Sequence, residues 1–407
     1  MRKNTKNARV LIYSHDTFGL GHLRRCHAIA QSLVARRKGL SVLILSGSPI
    51  IGSFDFRSRV DFVRIPGVIK LHNGEYSSLS LDIDIGEILE MRASIIQHTA
   101  KVFNPDLFLV DKEPLGLRGE IHETLRMLKR NGTQCVLGLR DVLDDPVLLA
   151  REWERKQPVP ALRDLYDEIW VYGLPQICNP LAGIDLPETV RAKITYTGYL
   201  RRNPSENDTA AMSKPQFDEP YLLVTTGGGG DGESLIDWVL RAYEADSEIP
   251  HPALLVFGPF MAPRRRENFR KRVERLERVK AITFDTHVED LMRDAAGVVA
   301  MGGYNTFCEI LSLDKPALIV PRRKPRMEQY IRASRAQQLG LVTMLSDEYG
   351  RNASRMTRAL RELPHQNRPS TVVVPGLLDG LDNIYRMVDV WAPDMFANEV
   401  SVATQGL

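Results

Sequence analysis

Cysteine, net charge and long apolar runs are all scarce in this chain. Among 407 residues there are four cysteines, and 54 basic side chains stand against 51 acidic ones for a net charge of +3. Without a global positive field, the protein is not expected to bind nucleic acid. The cysteines show no CxxC pair and no zinc-site spacing, so we expect free thiols in a reducing compartment. They are Cys26, Cys135, Cys178 and Cys308.

The sequence also shows no membrane-length apolar segment, and its first residues are not expected to be a secretory leader. No run reaches the ~18 apolar residues that a membrane-spanning helix needs. The basic start, MRKNTKNAR, continues directly into VLIYS without the apolar region of a signal peptide. We therefore expect a cytoplasmic protein, and we leave open whether it touches the inner face of a membrane.

Short apolar runs rich in valine, isoleucine and leucine alternate with longer amphipathic stretches along the whole chain. This alternation is typical of parallel strands that helices bury on both faces. A chain of 407 residues also exceeds the size, about 250 to 300 residues, at which a single core stops growing. We therefore predict an α/β fold with two Rossmann-like, doubly wound parallel-sheet domains that face each other across a cleft.

The predicted strands form two groups with a polar linker between them. Strands of the first group begin at Val10, Val42, Asp61, Leu107, Cys135 and Glu168. Strands of the second group begin at Tyr221, Ala253, Ala281, Gly297 and Pro316. These groups predict an N-terminal domain over 1–205 and a C-terminal domain over 206–375. Residues 376–407 carry an apolar helical pattern, which predicts a helix packed on one domain or bridging both, and a tail.

Ligands of open parallel sheets lie outside the carboxyl ends of the strands. The first predicted strand is followed by Gly19, Gly21 and His22 at the start of a helix. Two glycines allow a tight turn, and a histidine there, with an ordinary pKa of about 6.5, could act as a base. The spacing is not GxGxxG, which argues against a dinucleotide. The alternative is that these residues only shape and cap the turn.

A run of glycines opens the second predicted domain, between a strand and a helix. Because glycines leave backbone N–H groups uncovered, this loop could cradle a diphosphate at the helix start. The alternative is a flexible loop, and the GK[ST] ending of a P-loop is missing. Asp231 beside it could accept sugar hydroxyls or cap the helix. The glycines are Gly227, Gly228, Gly229 and Gly230.

Two more strand ends carry candidate residues. After the strand at Ala281, the backbone of His287 and Val288 could pair with a nucleobase edge, although a capping box explains their surroundings equally well. In the segment MGGYNTFCEILS, Asn305 is predicted to be the N-cap of a helix. Glu309 on that helix could accept both ribose hydroxyls or could simply complement the helix dipole.

These motifs, together with the spacing from the GLGH turn through GGYNTFCE to the EQ pair, resemble the MurG-like branch of GT-B glycosyltransferases. That branch transfers N-acetylglucosamine from its UDP donor to a lipid-linked acceptor. By resemblance, the second domain binds the donor, the glycine loop lines the diphosphate, and Glu309 holds the ribose. Glu328 and Gln329 would touch the sugar. The implied donor set also contains Gly21, Gly303, Asn305 and Thr306.

The resemblance makes His22 the candidate catalytic base. Glu113 and Asp141, which follow first-domain strands on the acceptor side, are the next choices. No DxD-like pair lies in a metal position, so we predict a metal-independent, inverting displacement without a cofactor. The acceptor, whether a sugar, a lipid-linked compound or another small molecule, is left open.

Two other functions fit the same motifs. The segment FGLGHLRRCHAIA also resembles UDP-sugar hydrolases of pseudaminic acid synthesis, which pass the sugar to water. A non-catalytic nucleotide-sugar-binding protein is the second alternative, because a fold does not fix a function.

Overall fold

The structure, a computed structural model, describes residues 7–15, 21–70, 75–202, 217–228, 230–285 and 288–391. The strands in these ranges are β1 (Ala8–Ser14), β2 (Leu40–Ser46), β3 (Val60–Arg64), β4 (Val68–Lys70), β5 (Tyr76–Ser78), β6 (Leu107–Asp111), β7 (Gln134–Arg140), β8 (Glu168–Tyr172), β9 (Ile194–Tyr196), β10 (Leu222–Thr225), β11 (Ala253–Val256), β12 (Val279–Ile282), β13 (Gly297–Ala300), β14 (Ala317–Ile319) and β15 (Thr343–Met344).

The helices in the same ranges lie between these strands. They are α1 (Gly21–Arg36), α2 (Ile85–Phe103), α3 (His122–Arg130), α4 (Pro146–Lys156), α5 (Val159–Asp164), α6 (Glu188–Arg191), α7 (Glu233–Ala245), α8 (Pro263–Val273), α9 (Val288–Asp294), α10 (Tyr304–Ser312), α11 (Glu328–Gln338), α12 (Ala353–Glu362) and α13 (Gly380–Val390). None of those helices combines the length and the apolar character that crossing a membrane requires.

Two parallel sheets organise the chain. The first has seven strands in the order β3-β2-β1-β6-β7-β8-β9, and the second has six in the order β12-β11-β10-β13-β14-β15. Central strands such as β1 and β10 are apolar and buried because helices cover both faces of each sheet. The predicted fold of two doubly wound parallel sheets is confirmed. The exact residue bounds of the domains stay a prediction.

The order of each sheet reverses at one point. In the first sheet the reversal lies between β1 and β6, and in the second it lies between β10 and β13. Loops that leave the carboxyl ends of such a pair run to opposite sides and open a crevice, which is where ligands of this architecture bind. Each sheet therefore offers one crevice, and the motifs that carry His22, Glu113, the glycine loop and Glu309 follow these four strands.

Three short strands, β4, β5 and β15, were not predicted. The polar stretch after β3 contains an antiparallel hairpin of β4 and β5, and the second sheet ends with the two-residue β15. Strands of two or three residues are too short to show an alternating pattern. Strand β12 also begins at Val279, two residues before the predicted start.

The helix α13 packs on the first domain. The indole rings of Trp391 and Trp170 stack with their centroids 5.7 Å apart. The Asn383 side-chain amide donates to the carbonyl of Thr197 at 2.9 Å, and Asp382 forms an ion pair with Arg36 of α1. Of the two placements predicted for the C-terminal helix, the structure has packing on one domain.

A buried ion pair joins the two domains. The guanidinium of Arg332, on α11, donates to the carboxylate of Asp141 at 2.7 and 2.5 Å, and both side chains are 0% exposed. The hydroxyl of Tyr199 donates to the same carboxylate at 2.6 Å. The Tyr199 ring also contacts the rings of Tyr304 and Phe307 on α10. This cluster fixes the second sheet against the first.

We predict that Arg332→Met lowers the free energy of unfolding by about 3 to 5 kcal/mol, because it leaves the Asp141 carboxylate buried and unpaired. Urea unfolding measures the loss. The double variant Asp141→Leu with Arg332→Met removes both charges and should recover most of it. A single variant as stable as the wild type would show that the pair does not fix the interface.

Candidate functional site

The two crevices meet at the first turn of α1. Gly21 begins this helix, and its carbonyl accepts a hydrogen bond from the Asn305 side-chain amide at 3.1 Å. Asn305 lies on α10, which follows β13 of the second sheet. Arg202 donates to the Asn305 side-chain oxygen at 2.8 Å and to the carbonyl of Arg24 at 3.2 Å. Residues predicted for both halves of the site are therefore neighbours.

His22 is paired with a carboxylate from the adjacent strand. Its Nδ1 atom hydrogen-bonds to Asp111, the last residue of β6. Arg25, one turn along α1, donates to the two oxygens of Asp111 at 2.6 and 2.8 Å. With Nδ1 as the donor, Nε2 keeps its lone pair. The side chain of His22 is 14% exposed, so it is not sealed from the crevice.

Burial keeps the imidazole neutral. Desolvation lowers the pKa of His22 from 6.5 to about 4, and the opposing effect of Asp111 does not offset it. Burial alone would raise the pKa of Asp111, but Arg25 and His22 outweigh it and hold the carboxyl well below its usual range. At neutral pH the site therefore contains an ionised Asp111 and a neutral His22.

Asp111 was missed in the sequence. It ends the apolar strand LFLVD, and the sequence pattern at this position indicates only the end of a strand. The signal that could have found it is its place in the sheet. A carboxylate at the end of β6 lies beside the end of β1, because these two strands pair in parallel with Tyr13 opposite Val110.

The two reserve candidates for the base are held by cations. Glu113 pairs with Lys156 at 2.9 Å and with Lys112 at 3.5 Å. Burial would raise its pKa, but these cations hold it well below the usual range, which makes it a weak base. Asp141 is fully buried, and Arg332 and Tyr199 occupy its two oxygens. Neither carboxylate is free to accept a proton from a substrate.

The glycine loop follows β10 and leads into α7. Gly227 has φ +65°, a left-handed conformation that favours glycine, and a Cβ atom on Gly228 would lie 3.3 Å from Phe260. Gly229 lies outside the described residues, and Gly230 directly follows it. The N-cap of α7 is Gly232, whereas Asp231 forms an ion pair with Arg322. Its charge is thereby offset beside the loop.

Glu309 is a buried carboxylate that points to the domain interface. It is 1% exposed, and the guanidinium of Arg24, on α1, lies 2.9 Å from its Oε1 atom. Among the described residues neither of its oxygens has a partner with hydrogen-bond geometry. Burial raises its pKa, and Arg24 opposes this rise. Arg24 also pairs with Glu289 on α9.

The prediction that Asn305 is an N-cap was wrong. Helix α10 begins at Tyr304, and its N-cap is Gly303, which makes no side-chain cap. The Asn305 amide is used instead for the contacts with Gly21 and Arg202. Thr306 is buried on the first turn of the same helix.

The remaining donor candidates lie at the starts of two other helices. Glu328 and Gln329 begin α11 and both contact Arg322, whose side chain donates to Glu328 at 2.7 Å and whose amide donates to Gln329 at 3.1 Å. Glu328 Oε2 is buried without a partner among the described residues. Val288 begins α9 and is buried, whereas His287 lies outside the described residues.

We predict that the imidazole of His22 titrates near pH 4. The unfolded chain takes up this proton at about pH 6.5, whereas the folded protein takes it up only near pH 4. The free energy of unfolding therefore falls as the pH drops through this interval, by up to about 3 kcal/mol from this group. In His22→Gln this part of the slope should vanish, and the exposed control His98→Gln should retain it. An NMR midpoint near pH 6.5 for His22 would contradict the prediction.

Three comparisons place this geometry among known proteins. Residues 222–370 match the glycosyltransferase family 28 C-terminal domain. No curated protein matches the sequence significantly. Because the solved structures have low sequence identity to this chain, they show only its fold.

Three of these solved structures are examples of proteins with this fold. The glycotransferase of kitacinnamycin superposes with a TM-score of 0.59 at 15% identity, covering 95% of this chain and 96% of its own. MurG from Acinetobacter baumannii gives 0.56 at 12% identity, covering 94% and 99%. The UDP-GlcNAc 2-epimerase from Methanocaldococcus jannaschii gives 0.60 at 12% identity, also covering 94% and 99%. The fold inferred from the sequence is confirmed: the chain has the two-domain fold of these structures, and residues 222–370 of its second domain match the glycosyltransferase family 28 C-terminal domain.

Proposed function

We propose that this protein transfers a sugar, N-acetylglucosamine or one like it, from a UDP-linked donor to a hydroxyl of a small-molecule or lipid-linked acceptor. The observation that carries the proposal is the His22–Asp111 pair at the β1/β6 crevice, together with Glu309 of the second domain, which lies beside Arg24 on the same helix as His22. This arrangement puts a neutral base on one side of the cleft and groups suited to a nucleotide diphosphate on the other.

On the donor side, the backbone amides of the glycine loop bind the diphosphate, and Glu309 accepts the ribose hydroxyls. The orphaned oxygens of Glu309 support the second role, because a buried carboxylate without hydrogen bonds gains by accepting two. Glu328 and Gln329 contact the sugar. UDP-bound relatives of the same fold, such as the structure from Siraitia grosvenorii, are consistent with this donor.

Binding of the ribose requires Arg24 to withdraw from Glu309. Arg24 belongs to α1 of the first domain, and Glu309 belongs to α10 of the second. Opening of the cleft would therefore separate them and expose the carboxylate. Closure after the donor is bound would exclude water, which protects the donor from hydrolysis.

On the acceptor side, His22 Nε2 takes the proton of the attacking hydroxyl. The acceptor oxygen then forms a bond to the anomeric carbon as the bond from that carbon to the UDP oxygen breaks on the opposite face, which inverts the configuration. Asp111 stabilises the imidazolium that forms, and the glycine loop stabilises the negative charge on the departing UDP. We propose that these amides serve without a metal ion.

A donor screen tests the function and its alternatives together. The protein is incubated in EDTA with UDP-sugars, with and without a pool of acceptors, and the products are identified by NMR. Acceptor-dependent transfer supports the proposal. Equal release of free sugar without an acceptor would indicate a hydrolase, and binding without turnover would indicate a non-catalytic protein. Turnover only after magnesium or manganese is added would overturn the metal-free mechanism.

We predict that His22→Gln lowers kcat by about a hundredfold to ten-thousandfold, which is the usual contribution of a positioned general base. The affinity for UDP should stay close to that of the wild type, because the donor binds mainly to the second domain. Steady-state kinetics and calorimetric UDP titration separate the two effects. His98→Gln, an exposed histidine on α2, is the matched control. A folded His22→Gln enzyme with wild-type kcat would rule out His22 as the general base.

We predict that Glu309→Gln weakens UDP binding by about tenfold to a hundredfold, since charge-assisted hydrogen bonds are worth about 1.5 to 3 kcal/mol. Titration with 2′-deoxy-UDP sharpens the test. The wild type should prefer UDP, and the variant should lose most of this preference. If both proteins discriminate equally, Glu309 does not hold the ribose.

A further inference from the structure

Arg140 is a partly buried arginine that lacks a partner among the residues that the structure describes. It is the last residue of β7, at the carboxyl edge of the first sheet. No hydrogen bond or ion pair joins its guanidinium to any residue in the described ranges, and its Nε atom is fully buried. The two other buried arginines nearby are each matched with a carboxylate, Arg25 with Asp111 and Arg332 with Asp141.

Of the two carboxylates around Arg140, one is fully engaged by other groups and one is partly engaged. Asp141 is bound by Arg332 and Tyr199, whereas Glu328 is bound by Arg322 through Oε1 and keeps Oε2 without a partner among the described residues. Burial lowers the pKa of Arg140 to about 10, and Glu328 only partly offsets this. A desolvated cation that lacks a counter-charge is costly, so it is expected where an anion arrives from outside.

Lys112 supplies a second cation at the neighbouring strand end. It follows β6, and its amide donates to the carbonyl of Gly138 on β7 at 2.8 Å. Burial lowers the pKa of its ammonium to about 8, Glu113 opposes the drop, and the charge of Arg140 adds to it. Its one ion pair among the described residues, to Glu113, measures 3.5 Å and is shared with Lys156. Two incompletely neutralised cations therefore lie at the ends of neighbouring strands, and the charge of one acts on the other.

We propose that Arg140 and Lys112 bind an oxyanion, a phosphate or a carboxylate, that the acceptor carries. This inference rests on the proposed function, since it places the acceptor beside His22. Strand β6 carries both Asp111 at its end and Lys112 one residue beyond, so the base and the basic pair share one crevice wall. The donor diphosphate has a separate place, because the glycine loop belongs to the second sheet.

The guanidinium of Arg140 and the ammonium of Lys112 would bind such an oxyanion in different ways. A guanidinium fork binds both oxygens of a phosphate or carboxylate, whereas an ammonium acts as a point charge at its side. An acceptor anchored at β7 would present its hydroxyl towards β1 and β6. A neutral acceptor would leave Arg140 unpaired and would therefore bind more weakly.

Thermal shift and calorimetry with inorganic phosphate test the site. The donor site is first saturated with UDP, so that phosphate reports only on the remaining anion site, and KCl at matched ionic strength controls for screening. We expect phosphate to raise the Tm of the wild type further. In Arg140→Met the phosphate affinity should fall at least about tenfold, and the Tm without phosphate should be unchanged or higher. The exposed control Arg155→Met should behave like the wild type.

Several results would overturn the inference. The wild type could give no phosphate response beyond that of KCl. The Arg140→Met protein could keep its phosphate affinity, or it could be strongly destabilised. Lys112→Met is the second variant, and it too should bind phosphate more weakly. If Arg140→Met weakens binding of the UDP-sugar but not of UDP or phosphate, the arginine serves the donor sugar. Because UDP affinity and the His22→Gln kinetics are measured separately, loss of the anion site alone leaves the proposed function standing.

Discussion

The buried pair of Asp141 and Arg332 is the contact on which the geometry of the cleft depends. Each charge is fully removed from water, so each needs the other, and one sits on the first domain and the other on the second. Asp141 follows β7, whose last residue is Arg140, and Arg332 lies on the helix that begins with Glu328 and Gln329. The alignment of these two sheets therefore sets the positions of groups on both sides of the site.

The need of a buried charge for an opposite charge also separates the roles of the ionisable groups in the crevice. Buried arginines that face carboxylates hold the structure together, as Arg25 does for Asp111. Groups that keep a nitrogen or oxygen atom without a hydrogen bond among the described residues are the ones available to a ligand. Three groups of this kind are the neutral ring of His22, the carboxylate of Glu309 and the guanidinium of Arg140.

The sequence predicted those parts of the structure in which a local residue pattern marks an element of the sheet or its edge. Buried parallel strands are continuous apolar runs, and glycine turns after strands mark the crevices, so the two sheets and the positions of His22, the glycine loop and Glu309 could be predicted. The partners of these residues could not. Asp111 reaches His22 from 89 positions away in the chain, and Asn305 reaches Gly21 from 284. Such contacts arise from the packing of the sheets and leave no local periodicity.

The placement of α13 has a consequence for how this chain is made. Its residues leave the ribosome after those of both sheets, yet Trp391 stacks on Trp170 of the first domain, and Asp382 of α13 pairs with Arg36 of α1. The first domain thus emerges early but is capped by α13 only after the second domain has been synthesised. Until then its apolar face towards α13 is uncovered, which gives chaperones a defined surface to shield while the second domain is synthesised.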